Sequence, residues 1–445
     1  MIKWGLCQRQ VFGLDNCLFL SHTELRHQYN KSSKIRIMAS NNTDEKPPAH
    51  ECAKPLKVVW FSFFPVEWLP DAPDEVRRLP KMHPASWQRV LLDQFVLDPK
   101  LKLHVVVLRK QFERDLTFER RGVTFHLIKV PGGMRATSLF WLDTFVIWRV
   151  LKKIKPDVVH AWGTEQGAAL VANRLDYPRV ITIQGLISWY EKIVPFPWIV
   201  RVAGIIERMS LPHAPVVTTE ARFTVNWLRE RYSKVRVEQI EHAPDPVFHS
   251  VERVPQTETF RFLFVGALDY RKGGDILLKA LDLLKQEIKF QLIVVGQLNA
   301  ELSKHIQQVS QELWERIEFK HSLTHVQVAD ELSRATMSVC ASRADVSPNS
   351  VKEAVVAGVP VIGTRVGGIP DYVHSGRNGV LCEPGNVEEL AQAIRTACAN
   401  PMFQVGQVEP QILAEMRHYL SPETMARRFR ETYFSVVELF RKPSN

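Results

Sequence analysis

The sequence predicts two successive α/β domains. Three observations carry this expectation: a length of 445 residues, short β-branched runs that alternate with helical stretches, and a proline-rich break near the middle after which the alternation restarts. A single hydrophobic core rarely organises so long a chain. Short, wholly apolar runs are what buried parallel strands joined by helical crossovers require.

In the first half, Leu56–Phe61, Leu103–Leu108, Val123–Ile128, Asp157–His160, Val180–Ile183, Val216–Thr218 and Val235–Ile240 read as strands of a domain spanning residues 55–250. Residues 1–54 read as an extension. The stretch Ser32 to Pro55 is polar and turn-rich, and a start at Met38 is the alternative reading. Val11 to Leu20 is interrupted by Asp15 and Asn16 and is too short to span a bilayer. Helices do not run easily through His242-Ala243-Pro244-Asp245-Pro246, and a polar stretch, Ser250 to Thr259, follows.

A second domain over 251–415 then builds from strand Arg261–Val265, helix Gly273–Lys285, strand Phe290–Val295, helix Glu301–Leu313, strand Met337–Ala341, helix Ser350–Ala357, strand Val359–Gly363 and helix Asn386–Ala399. In the tail, 416–445, Met425, Phe429, Tyr433 and Val437 recur every fourth residue. Such a stripe belongs on a helix that packs on its own domain or returns across the junction to the first.

Composition narrows the chemistry. Hydrophobic residues at 45% and charged residues at 24% are ordinary for a soluble globular protein. The net charge of +10 suits a phosphate-bearing ligand or an anionic surface. No zinc-finger spacing, RNA-binding aromatic motif or long basic arm accompanies it, so nucleic acid is not an expected partner. Cys7, Cys17, Cys52, Cys340, Cys382 and Cys398 form no CxxC pair, which argues against structural zinc and a disulfide scaffold and for a reducing cytoplasm. The stretch Leu139 to Lys155 joins large apolar residues to a basic end. It reads either as a helix packed on the sheet or as a peripheral contact with an anionic membrane at its inner face.

Three glycine-associated segments carry the candidate chemistry. Gly266 to Asp275 links a strand to a helix, and Arg271 and Lys272 within it would neutralise a diphosphate. The alternative is a solvated turn of an ordinary α/β unit. In Asp345 to Glu353, Pro348-Asn349-Ser350 marks a loop-to-helix transition, and Ser350 with Glu353 has capping-box spacing. Glu353 therefore either closes a cap or accepts hydrogen bonds from ribose hydroxyls, and Asp345 would meet sugar hydroxyls. In Gly363 to Asp371, the pair Gly367-Gly368 permits close backbone approach and an anion nest. No acidic Asp-x-Asp pair suited to a diphosphate-bound cation is present, so neither a metal nor a resident cofactor is expected.

Across Gly266–Asp275, Asp345–Pro360, Gly363–Asp371 and Gly376–Pro384, the second half resembles the retaining glycosyltransferases of family 4 (glycosyl transferases group 1), which have the GT-B fold of two Rossmann-like domains. The first domain matches more loosely, through Asp157-Val158-Val159-His160 and Glu207 to Pro246. The resemblance implies a nucleoside diphosphate sugar bound by the second domain and a carbohydrate, lipid-linked or small-molecule acceptor bound by the first, with transfer in the cleft. It implies Lys272, Asp345 and Glu353 as catalytic residues, with Gly266, Arg271, Asn349, Ser350, Gly367 and Gly368 completing the donor site. It further implies that Glu353 meets the ribose and Asp345 the donor sugar. The sequence departs from the family at Ala267, where Arg is common, and at Asp345, where Glu is usual. It also departs at Ser62–Pro70, which lacks a glycine-rich loop, at His160-Ala161-Trp162 in place of His-x-His, and at Gln184-Gly185. Two alternatives share the architecture: a nucleotide-sugar epimerase and a non-catalytic nucleotide-sugar-binding protein.

Overall fold

The computed structural model describes residues 54–83, 85–299, 302 and 309–441. Two α/β sheets form two Rossmann-like domains. The first sheet contains β1 (Leu56–Ser62), β2 (Leu101–Arg109), β3 (Leu116–Arg120), β4 (Val123–Lys129), β5 (Val158–Trp162), β6 (Arg179–Thr182), β7 (Val216–Thr219) and β8 (Arg236–Gln239). Its order is β3-β4-β2-β1-β5-β6-β7-β8, parallel throughout except for the antiparallel edge strand β3. That hairpin turns at Arg121 and Gly122 with φ of 49° and 78°, the double positive φ of a tight two-residue turn. The sequence reading did not anticipate β3, because Arg121 hides the turn signal and only half of its side chains face inward.

The second sheet is built from β9 (Phe260–Val265), β10 (Phe290–Val295), β11 (Ile317–Lys320), β12 (Met337–Cys340), β13 (Val361–Thr364) and β14 (Gly379–Cys382). Its order, β11-β10-β9-β12-β13-β14, is the doubly wound arrangement in which the first strand is central and the chain reverses direction beside it. Alternate residues of each strand feed opposite core layers: Phe262 and Phe264 pack on one face of the sheet and Leu263 on the other. In the first domain, Val58 and Trp60 likewise oppose Val59 and Phe61.

One expected helix differs. Most of Glu301–Leu313 lies outside the described residues, and its end is a short helix, Gln311–Trp314, that Ser310 starts by accepting the Leu313 N–H. Ser310 competes for backbone groups, which makes it a helix starter rather than an interior residue.

The last helix, Pro422–Arg441, packs on the first domain although it follows the second. Met425, Phe429, Tyr433 and Val437 join the layer containing Trp60, Phe95 and Trp162. At its centre the Tyr433 hydroxyl accepts from Trp60 Nε1 at 2.9 Å and lies 2.6 Å from His160 Nδ1. Burial holds the His160 imidazole well below its usual pKa, and its Nε2 meets Thr182 Oγ1 at 2.6 Å. The histidine that ends the Asp157-Val158-Val159-His160 segment is thus a neutral pin between strand and returning helix.

Candidate functional site

In an open α/β sheet the ligand crevice forms at the carboxyl ends of the strands flanking the reversal of strand order. In the second domain those strands are β9 and β12. The loop after β9 presents Arg271 and Lys272, and the loop after β12 presents Asp345. Their packing is close enough to need glycine: Gly273 has φ of 70°, and a methyl group there would sit 1.9 Å from the Ala341 carbonyl oxygen. Arg343 N–H also donates to the Arg271 carbonyl oxygen at 2.8 Å, tying one loop to the other.

The result is a compact ionic cluster. Lys272 Nζ donates to Asp345 Oδ2 at 2.5 Å, and Arg271 Nη1 lies 3.3 Å from the same oxygen. Asp345 is buried. Burial alone would raise its pKa, but Lys272 and Arg271 outweigh it and hold the carboxyl below its usual value. For Arg271, burial opposes the charged form, yet Asp345 more than compensates and raises its pKa. The Tyr190 ring from the first domain lies 5.7 Å from the Arg271 guanidinium, and its hydroxyl accepts the Val346 N–H at 3.0 Å.

Glu353 lies on helix Asn349–Val356, and its surroundings correct the capping reading. Pro348 precedes the helix, no side chain caps it, and Ser350 falls inside its first turn. Proline leaves no N–H to be capped reciprocally and its restricted φ starts the helix instead. Among the described residues no hydrogen bond reaches the Glu353 carboxylate or the Asn349 and Ser350 side chains. Burial raises the Glu353 pKa, outweighing the electrostatic influence of His325, Lys352 and Lys272. An acceptor and two small polar groups at the start of a helix therefore sit together near the cationic cluster.

The glycines also need correction. Gly368 N–H is already donated to the Val346 carbonyl oxygen at 2.7 Å, so it cannot contribute to an anion nest in this arrangement. Gly367 N–H has no acceptor among the described residues. Gly367 is glycine because its φ is 54° and a methyl group would lie 1.6 Å from the Asp345 carbonyl oxygen. Gly266 donates to Val295 O, and Lys272, Gly273 and Gly274 N–H groups turn inward to Asp269 and Tyr270. The loop backbone is largely satisfied within the protein, leaving the Arg271 and Lys272 side chains as the main anion ligands.

Several residues that the sequence reading missed close the site from the other side. Lys352 is wholly buried, pairs with Glu220 of the first domain, and donates to the His242 carbonyl oxygen at 3.0 Å. His242 Nδ1 lies 3.0 Å from Glu220 Oε1. Burial would raise the Glu220 pKa, but His242 and Lys352 hold it down to about 2. Ser347 Oγ and Tyr372 Oη reach Glu220 as well. Glu165 follows β5, which flanks the reversal point of the first sheet. Nothing in the local sequence marks these groups, because each gains its meaning from a partner over a hundred residues away or from burial.

Comparison with known proteins agrees with this geometry. Residues 249–420 match the family model described as Glycosyl transferases group 1, and residues 99–247 match that described as Glycosyltransferase Family 4. One of these models falls in each of the two domains, and each covers less than half of the chain. It is 24% identical over 303 residues to a glycogen synthase of Mycobacterium tuberculosis, covering 66% of this chain and 72% of that one. An uncharacterized glycosyltransferase of Methanocaldococcus jannaschii is 25% identical over 321 residues, covering 66% and 83%. Among solved structures, sucrose-phosphate synthase from Thermosynechococcus elongatus superimposes with a TM-score of 0.67 at 16% identity, covering 86% of this chain and all of that one. A glycosyltransferase from Rickettsia africae gives 0.58 at 15% identity, covering 86% and 99%. These GT-B matches are at the level of fold and domain family and do not select one specific family.

Proposed function

We propose that this GT-B chain is a retaining glycosyltransferase that moves a sugar from a UDP-, GDP- or ADP-linked donor to an acceptor hydroxyl in glycoconjugate or polysaccharide synthesis. The observation that carries the reading is the pairing of Lys272 and Arg271 with Asp345, next to the unengaged carboxylate of Glu353 at the domain junction. In this reading the two cations transfer their attention from Asp345 to the donor diphosphate, Glu353 accepts from the ribose, and Asp345 faces the sugar. The bond from the anomeric carbon to the diphosphate oxygen breaks as the acceptor oxygen bonds to that carbon, and the acceptor proton leaves on the diphosphate. Fixed positive groups facing charge as it develops lower that barrier without a resident cofactor. The acceptor lies against the first domain, and the buried thiols of Cys340, Cys382 and Cys398 suit a reducing cytoplasm.

The test is a panel of nucleotide sugars read by nucleoside diphosphate release, with wild type, Glu353→Gln and Lys272→Ala. A lost hydrogen bond to a charged group, about 1.5–3 kcal/mol, predicts a roughly ten- to hundred-fold fall in kcat/KM for Glu353→Gln. Donor binding without release, with or without acceptors, would favour a binding protein. Release at the wild-type rate by folded Glu353→Gln would reject the ribose contact.

A further inference from the structure

Helices Trp141–Ile154 and Trp198–Ser210 cover one face of the first sheet, on either side of helix Ala168–Asn173. Their inner residues, among them Ile147, Leu151 and Ile206, belong to the core. Their outer faces do not behave as ordinary solvated surface. Trp141, Phe145, Trp148 and Lys152 form an outward stripe on the first helix, and Trp198, Val202, Ile205 and Met209 form one with the same spacing on the second. Trp141 is 60% exposed and Trp198 is 73% exposed, and the other apolar members are exposed too. Isolated exposed apolar residues need no explanation, but an apolar stripe along each of two helices on the same face of one sheet is the kind of surface that marks an interaction.

The charges on these helices identify the partner. Each helix contains one acid. Asp143 is buried and held by Arg135, and Glu207 is buried and bonded to Ser188 and Thr164. Every exposed ionisable group on both helices is therefore a cation: Arg149, Lys152, Lys153, Arg201 and Arg208. Two of these cations sit beside the rings, Lys152 Nζ 3.8 Å from the Trp148 ring centre and Arg149 5.8 Å from that of Phe145, while Arg208 pairs with Glu191 outside the helix. Aromatic residues with Lys and Arg at their border are the pattern of helices lying in the headgroup region of a bilayer. A second copy of the chain, docked face to face, would bring like charges together.

We propose that this two-helix face docks on a bilayer surface rich in anionic phospholipid. Each helix returns from the carboxyl end of a strand, so both begin at the sheet edge that carries the cleft, and the tryptophans at positions 141 and 198 lie nearest it. A docked bilayer would adjoin the first-domain wall of the cleft. The proposal stands on the surface and does not depend on the transferase reading.

The experiment is co-sedimentation of the full chain with phosphatidylcholine vesicles, and with vesicles that also contain phosphatidylglycerol, at low and at physiological salt. Retention on the anionic vesicles that falls with salt is expected. Because each lysine near an anionic surface is worth about a five-fold change in partitioning, Lys152→Glu with Lys153→Glu should weaken retention by at least ~25-fold. Trp198→Ser, on the other helix, should weaken it as well. All replaced side chains are exposed, and an unchanged thermal transition would confirm that the variants fold. Wild type left in the supernatant at low salt, or equal retention on both vesicle types, would overturn the proposal. So would self-association in vesicle-free solution that the same substitutions abolish, since it would assign the face to a second copy.

Discussion

Replacing Glu165 with glutamine should make the protein more stable, and increasingly so as pH rises. Oε1 of this side chain is buried without a hydrogen-bond partner, and Oε2 presses so closely on Gly163 that a methyl group there would lie 2.4 Å away. Burial, with the neighbouring Glu207 adding to it, raises the Glu165 pKa from the ordinary 4.5 to about 7. Between these values the folded chain holds a proton that the unfolded chain has lost. Stability from this group is therefore complete below the unfolded pKa and is lost as pH rises through the folded one. At about 1.36 kcal/mol per pH unit, the loss reaches about 3 kcal/mol, an upper figure because part of the side chain meets solvent. Glutamine keeps the shape and cannot ionise. Urea unfolding between about pH 5 and about pH 8 should show Glu165→Gln gaining steadily on wild type and levelling off above neutrality. A difference that does not vary with pH would refute the reasoning.

Lys352→Met should destabilise the domain junction by about 3–5 kcal/mol, because it strands the Glu220 carboxylate in a buried site. Thermal unfolding should show the loss, and adding Glu220→Gln should restore part of it. Gly367→Ala places a methyl group 1.6 Å from the Asp345 carbonyl oxygen at a φ of 54°. The left-handed conformation alone costs roughly 1–2 kcal/mol, so both the melting temperature and nucleotide affinity by calorimetry should fall. Tyr433→Phe removes the shared partner of Trp60 and His160 and should cost about 1–3 kcal/mol in urea unfolding with little change in the fold.

How much of this was legible follows from how local each signal is. The strands at the centres of both sheets were readable because burial on two faces favours runs of apolar residues, as in Phe262 to Phe264 and Val58 to Phe61. The edge strands β3 and β11 escaped because solvent on one side lets polar residues in. Lys272 and Asp345 were visible through their places in loops, and Glu353 through its place on the helix that follows Pro348. The capping box at Ser350 was a false signal, since spacing alone cannot tell that Pro348 already begins the helix.

By itself, then, the sequence determined the two α/β domains and offered charged residues in the segments Gly266–Asp275 and Asp345–Glu353. Tertiary structure alone decided which charges meet. It set Arg271 and Lys272 on Asp345, joined Lys352 to Glu220 across the junction, spent the Gly368 N–H on Val346, and sent the last helix back to Trp60 and His160. The physical reason is range. Strand and helix patterns come from the burial of neighbouring residues, whereas an ion pair or a shifted pKa depends on groups far apart in the chain and on how much water packing leaves between them.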